Sequence, residues 1–142
     1  MTAFSTIVGA IVTALQGAPA VSPQVYRARM RPIAEQHTTA VVVRLQDAQA
    51  ERFAINGAPV NQSTTIAVEC YARSSTLDPD VAVDTLLADV YAKLAADTTL
   101  GGLVSDLFVT GIAWDFDMDA QHTACATLTC LVQHRTANLN IT

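Results

Sequence analysis

Charge is scarce in this chain. Only 15% of its 142 residues are Asp, Glu, Lys or Arg, while 51% are hydrophobic. That is apolar for a soluble monomer and implies that part of the surface is meant for partners. The net charge of −5 argues against nucleic acid as the main ligand, since phosphate recognition needs concentrated positive charge. Cysteine is limited to Cys70, Cys125 and Cys130. No CxxC pair or histidine cluster accompanies them, which excludes a disulfide framework and a structural zinc site and fits a reducing cytoplasm. The histidines His37, His122 and His134 are scattered and read as surface or edge residues. There is no GxSxG elbow, P-loop or GxGxxG fingerprint. Trp114 and Tyr71 stand alone and do not form a stacking platform for single strands. The apolar run from Thr2 to Val21 is too short to span a bilayer and lacks the basic start of a signal peptide.

What is present is patterned. The stretch from Leu77 to Val104 organises the rest. Asp78 suits an N-cap, Pro79 the first helical position, and Asp80 the positive end of the dipole. Val83, Leu86, Leu87, Val90, Tyr91 and Leu94 then recur at three- and four-residue steps, predicting one apolar stripe on a helix. Gly101 and Gly102 permit the left-handed backbone of a sharp exit. Phe4, Ile7, Val8, Ile11, Val12 and Leu15 predict a first amphipathic helix ending near Gly17. Its other face is Gly9, Ala10, Thr13 and Ala14, small and uncharged, which reads as a weakly polar exposed face or as one that lets a second helix approach closely.

Strands are expected on either side of the central helix. Val25 to Arg31 reads as extended, closed by Pro32. Ala40 to Leu45 is β-branched and apolar. Asn56-Gly57 is a hairpin turn leading to a strand over Gln62–Arg73, with Ile66, Val68, Cys70 and Ala72 on one face. Leu107–Met118 and Thr123–Arg135 form a second hairpin, with Ile112, Trp114, Phe116 and Met118 sharing a face of its first strand. Cys130 falls on the apolar face of the last strand and Cys125 on the other. The tail from Thr136 to Thr142 is polar. The order predicts a single α+β domain over residues 1–142, with a mainly antiparallel sheet and both helices on one face.

Charge is sorted along the chain. Residues 1–73 carry six Arg against Glu35, Asp47, Glu51 and Glu69, a sum of +2, whereas residues 74–142 carry nine Asp against Lys93 and Arg135, a sum of −7. Two alternating runs stand out. In an extended chain Arg27, Arg29 and Arg31 point one way, and so do Asp115, Asp117 and Asp119. The aspartate run has three readings: a solvated face, a cation site lacking the Gly and Glu of an EF-hand loop, or a salt-bridged contact surface. As a contact surface, it would meet the arginine run of a neighbouring copy.

The layout as a whole resembles the tail terminator proteins of tailed bacteriophages, the minor tail protein U group, and related prophage tail-completion proteins. The likeness rests on the N-terminal helix, Arg27 to Pro32, VVVRL, TTIAVECYAR and DPDVAVDTLLADVYAKL. Asp97-Thr98-Thr99-Leu100-Gly101-Gly102-Leu103, GIAWDFD, and the final Arg135-Thr136 complete it. It covers nearly the whole chain in pattern and carries no catalytic signature. The resemblance implies a non-enzymatic α+β protein without cofactor or bound metal. It would cap the growing tail tube as a hexameric ring, stop polymerisation and present a surface to the head connector. The implied partners are further copies, the major tail tube protein and a head-completion protein, with no specific nucleic-acid or membrane binding. The implied location is the head-proximal end of the virion tail, after assembly in the host cytoplasm. Two alternatives stay open: another neck or connector protein, or a small metal-dependent enzyme or ligand-binding domain using the Asp run.

Overall fold

A computed structural model describes residues 1–28, 37–52, 57–116, 123–137 and 140–142. The first helix, α1 (Ala3–Gln16), ends at Gly17 as expected. Thr2 is its N-cap, accepting from the Ser5 amide at 3.2 Å. The Ala3 amide donates to the Ile141 carbonyl at 2.6 Å, so the end of the chain satisfies a further orphan donor of α1. Gly17 closes the helix, donating to the Thr13 and Ala14 carbonyls. Ile7, Val8, Ile11 and Leu15 are buried along one side, as the spacing predicts.

The remaining elements are strand β1 (Val25–Arg27), β2 (Thr39–Arg52), β3 (Val60–Arg73), helix α2 (Pro79–Ala96), β4 (Asp106–Phe116) and β5 (Thr123–Thr136). They build one five-stranded sheet in the order β1-β2-β3-β5-β4. β1 pairs parallel with β2, and the other pairings are antiparallel. β3, α2 and β4 form a crossover with β5 inserted between its two strands. The fold is α+β, with both helices against one face. α1 lies over β1 and β2, and α2 over β3, β5 and β4.

The core is a single apolar cluster between helices and sheet. Val41 and Val43 of β2, Ile66, Val68, Cys70 and Ala72 of β3, and Ala126, Leu128, Cys130 and Val132 of β5 all face it. Val83, Leu86, Leu87, Val90 and Leu94 of α2 close it from above. Burial pushes the Cys70 and Cys130 thiols up to about 12, which keeps both protonated and unreactive.

Several local expectations need correction. Tyr91 keeps 46% of its surface exposed although it lies on the expected stripe. It sits over the seam between α2 and β4, where it lines a recess with Leu94, Leu107 and Phe108 instead of entering the core. Asp78 occupies the N-cap of α2 but makes no side-chain cap bond. The helix ends at Ala96, before the glycines. Asp97 then shapes the turn, its carboxylate accepting from the Gly101 amide at 2.8 Å and the Thr99 amide at 3.2 Å. These bonds, Gly101 first, hold the Asp97 carboxyl below its ordinary range. Leu100, Gly101 and Gly102 all take positive φ (50°, 71° and 89°), the left-handed turn the glycines anticipated.

β2 runs well beyond the expected Ala40–Leu45, because the β3 ladder continues past a bulge between Leu45 and Asp47 to Arg52. Thr136, expected to open the tail, instead closes β5. It is buried and accepts from Gln62 Nε2 at 3.3 Å.

His134 is the other correction. It is a buried core residue, not an edge residue, with 4% of its surface exposed. Its Nε2 lies 2.8 Å from Thr64 Oγ1, and its ring meets Phe4 edge-on at 5.5 Å. Burial lowers its pKa below the ordinary 6.5. The unfolded state therefore binds a proton more readily. Stability is full above about pH 6.5 and declines as pH falls from there through the folded pKa. Urea unfolding midpoints should drop between pH 7.5 and pH 5.5. His134→Asn should flatten that slope, and an unchanged slope would assign it to other groups. His122 lies outside the described residues.

Candidate functional site

Apolar surface and unpaired charge collect at the two edges of the sheet. At one edge is β4. Past a bulge between Val109 and Gly111 it pairs Ile112 with Leu128, Trp114 with Ala126 and Phe116 with Ala124. These side chains share the helix-covered face of the sheet, as their alternation predicts. α2 shields Ile112, which packs against the core. It does not reach the rest: Trp114 is 51% exposed and Phe116 40% exposed. With Val81, Asp80 and Asp84 from the first turns of α2 they line an open groove of ≈ 450 Å³. Its floor is aromatic and aliphatic, and its rim carries two carboxylates. A smaller recess of ≈ 180 Å³ lies further along the same α2–β4 seam, lined by Tyr91, Leu107 and Phe108 among others.

At the opposite edge are β1 and β2. β1 covers only Val41–Val43 of β2. Residues 45–52 of β2 are exposed throughout, with Leu45, Ala48, Ala50 and Arg52 on the same sheet face as Trp114. Both edges therefore offer backbone groups with no strand partner among the described residues.

The charge asymmetry of the sequence becomes spatial here. Arg27, Arg44 and Arg52 stand on β1 and β2 together with Asp47 and Glu51, whereas Asp106 and Asp115 stand on β4 with Asp80, Asp84, Asp89 and Lys93 on the neighbouring α2. Among the described residues one salt bridge forms, Arg44 Nε to Glu69 Oε1 at 2.6 Å. Tyr71 donates to the other oxygen of Glu69 at 2.7 Å, and burial together with that bond raises the phenol pKa. This cluster lies on the open face of the sheet. Cys125 lies on that face too, half-buried, its thiol pKa raised chiefly by desolvation.

Of the six residues in the two charged runs, Arg27 and Asp115 fall on described strands, at opposite edges of the sheet. Arg29, Arg31, Asp117 and Asp119 lie outside the described residues. The extended arginine run is interrupted: β1 ends at Arg27, and Ala28 takes φ 45°. Arg27, though exposed, is tied to α1, its Nη2 donating to the Ser5 carbonyl at 2.7 Å. The guanidinium rests on the small face of α1, where a Cβ at Gly9 would stand 3.4 Å from Arg27 Nη1. That face receives an arginine at Gly9. Asp115 is exposed on the open face, opposite Cys125 in the ladder.

Among the described residues no group of three His, Cys, Asp or Glu side chains is placed to hold a metal ion. Nor, among them, is any helix long and apolar enough to cross a membrane. Sequence reasoning had named the strand face of Trp114 and Phe116 but not the groove. The alternation was legible, whereas the approach of Asp80 and Asp84 depends on where α2 docks.

No protein-family model matches this chain, and no curated protein matches it. Among solved structures it is similar to a chain of the virion of a native gene transfer agent particle. The identity is 14%, the TM-score 0.49, and the alignment covers 91% of this chain and 94% of that one. It is also similar to a chain from the PVC sheath/tube terminator of an extracellular contractile injection system, in the extended state. There the identity is 13%, the TM-score 0.42, and the alignment covers 96% of this chain and 58% of that one.

Proposed function

We propose that this chain, acting as a single α+β domain, is a structural virion protein. It caps a phage-type tail tube as a hexameric ring, ends tube polymerisation and forms the joint to the head. The observation that carries this reading is a sheet with two unlike edges, an aromatic groove between β4 and α2 at one and the free, polar residues 45–52 of β2 at the other. A subunit with two different edges can associate head-to-tail, and a head-to-tail contact closes into a ring when its rotation allows. The resemblance in sequence layout to tail terminator proteins supplies the rest. The partners are then other copies, the tube protein on one side of the ring and a head-completion protein on the other. Assembly takes place in the host cytoplasm and the product stays at the head-proximal end of the tail. The paired-run contact, with Arg27, Arg29 and Arg31 facing Asp115, Asp117 and Asp119 of the next copy, remains part of this proposal and requires Arg27 to exchange its bond to the Ser5 carbonyl for a carboxylate.

Native mass spectrometry tests it. Six subunits are the expected count. Twelve would favour a different neck connector, and a monomer at every concentration would overturn the ring. A second expectation concerns the lumen. Copies at −5 each repel phosphate, so fluorescence anisotropy should detect no binding of duplex DNA at physiological salt. Binding that weakens steeply with added salt would place arginines in the channel.

A further inference from the structure

The short edge strand β1 and the groove strand β4 stand level across the sheet. Arg27 pairs with Val43, Val43 with Val68, Val68 with Leu128, and Leu128 with Ile112. Val25 connects in the same way, through Val41, Cys70 and Ala126, to Trp114. The free half of β2 lies toward the other end of the sheet. Direction matches as well as level. β1 is parallel to β2, and each step from β2 through β3 and β5 to β4 reverses direction, so β1 and β4 run opposite ways. Two copies side by side in the same orientation therefore present these two strands to each other as antiparallel edges.

Face and charge match too. Arg27 pairs with core-facing Val43, so it stands on the helix side of the sheet, exposed, with its guanidinium against Ser5 and Gly9 of α1. The groove opens on that side. No Asp or Glu precedes Glu35 in the chain, so nothing acidic on α1 or β1 opposes an acidic partner. The groove supplies one: Asp80 and Asp84 stand at its rim, and Trp114 offers a ring on which a guanidinium can lie.

We infer that β1 of one copy lies along residues 112–114 of β4 of the next, with Arg27 facing the Trp114 groove and the carboxylates of Asp80 and Asp84. This rests on the ring reading above and names the contact that builds it. Arg27 meets opposite charge on the face where it already stands and keeps its bond to Ser5. Asp115 lies on the open face, and Arg27 reaches it only by giving that bond up. The contact is heterologous, with arginine and groove on opposite edges of each subunit, so every copy in a ring uses both.

Trp114 is the single tryptophan of the chain, so its fluorescence reports on the groove. Acrylamide quenching should fall as the wild-type protein is concentrated, in step with assembly seen by light scattering. Arg27→Glu should raise the concentration at which assembly begins by about tenfold or more and keep Trp114 accessible. Asp84→Arg should do the same from the other edge, at an exposed position that leaves the Arg27–Ser5 bond intact. The two changes together should recover part of the loss. Arg52→Glu makes the same change in net charge at the far end of β2 and should leave assembly unaltered. A wild-type protein that never assembles would overturn the ring reading and this contact with it. A ring in which Trp114 stays fully quenchable, undiminished assembly of Arg27→Glu, or an equal loss in Arg52→Glu would overturn this contact and leave the ring standing. Rescue of Arg27→Glu by Asp115→Arg and not by Asp84→Arg would do so too, returning Arg27 to the run-to-run contact.

Discussion

Val90→Asp is expected to abolish the folded state at neutral pH or leave it barely populated. Val90 is fully buried in the middle of the α2 stripe. It sits in the single cluster formed with Val83, Leu87 and the sheet residues below. A carboxylate placed there loses its hydration and gains no partner, because the surrounding cluster is apolar. Fully buried carboxyl groups have pKa values raised by about 3–5 units, and each unit is about 1.4 kcal/mol. The expected cost is therefore about 4 kcal/mol or more, comparable to the whole stability of many domains. Asp89 provides the control one position away. It is exposed, and Asp89→Val should change stability by less than about 0.5 kcal/mol. Urea denaturation of the two variants measures the contrast. Equal, small effects would mean that α2 does not dock on the sheet as described.

Leu128→Ala should be the next most damaging change, costing about 2–5 kcal/mol. Leu128 is fully buried on β5, paired with Val68 on one side and Ile112 on the other. β5 lies between β3 and β4, so strands on both sides hold the backbone. The lining of the cavity cannot collapse into the missing volume, which places the expected loss toward the upper part of the range. Tyr91→Ala is the comparison. Its ring is 46% exposed at the seam, and its loss should cost much less. The order of the two unfolding free energies is the measurement. A Tyr91 cost equal to that of Leu128 would mean that the α2–β4 recess belongs to the core.

The elements themselves were legible in the sequence because their signals are local. Helical spacing of Ile7, Val8, Ile11 and Leu15, and of Val83, Leu86, Leu87, Val90 and Leu94, follows from the turn of the helix alone. Alternation did the same for Ile66, Val68, Cys70 and Ala72 and for the cysteines. What the chain could not show locally is which neighbour each residue meets. The polar half of β2 carries little strand propensity of its own and is extended because β3 offers it a ladder. His134 reads as a polar edge residue, yet Thr64 and Phe4 converge on it from β3 and α1. Tyr91 shares the period of its stripe but stands at the seam with the edge strand β4 and stays half-exposed there. Arg27 rests on α1 because Gly9 opens room there, and Ala28 turns the backbone just after it.

The candidate site divides in the same way. Composition pointed to exposed apolar surface, and the order of residues placed positive charge early and negative charge late. Strand order decided that those two halves stand at opposite edges of one sheet. The docking of α2 decided that Trp114 and Phe116 lie beyond its reach, beside Asp80 and Asp84. Periodicity is a property of a few consecutive residues. Edges, grooves and the partners of a charge depend on contacts between residues far apart in the chain, and those exist only once the sheet has formed.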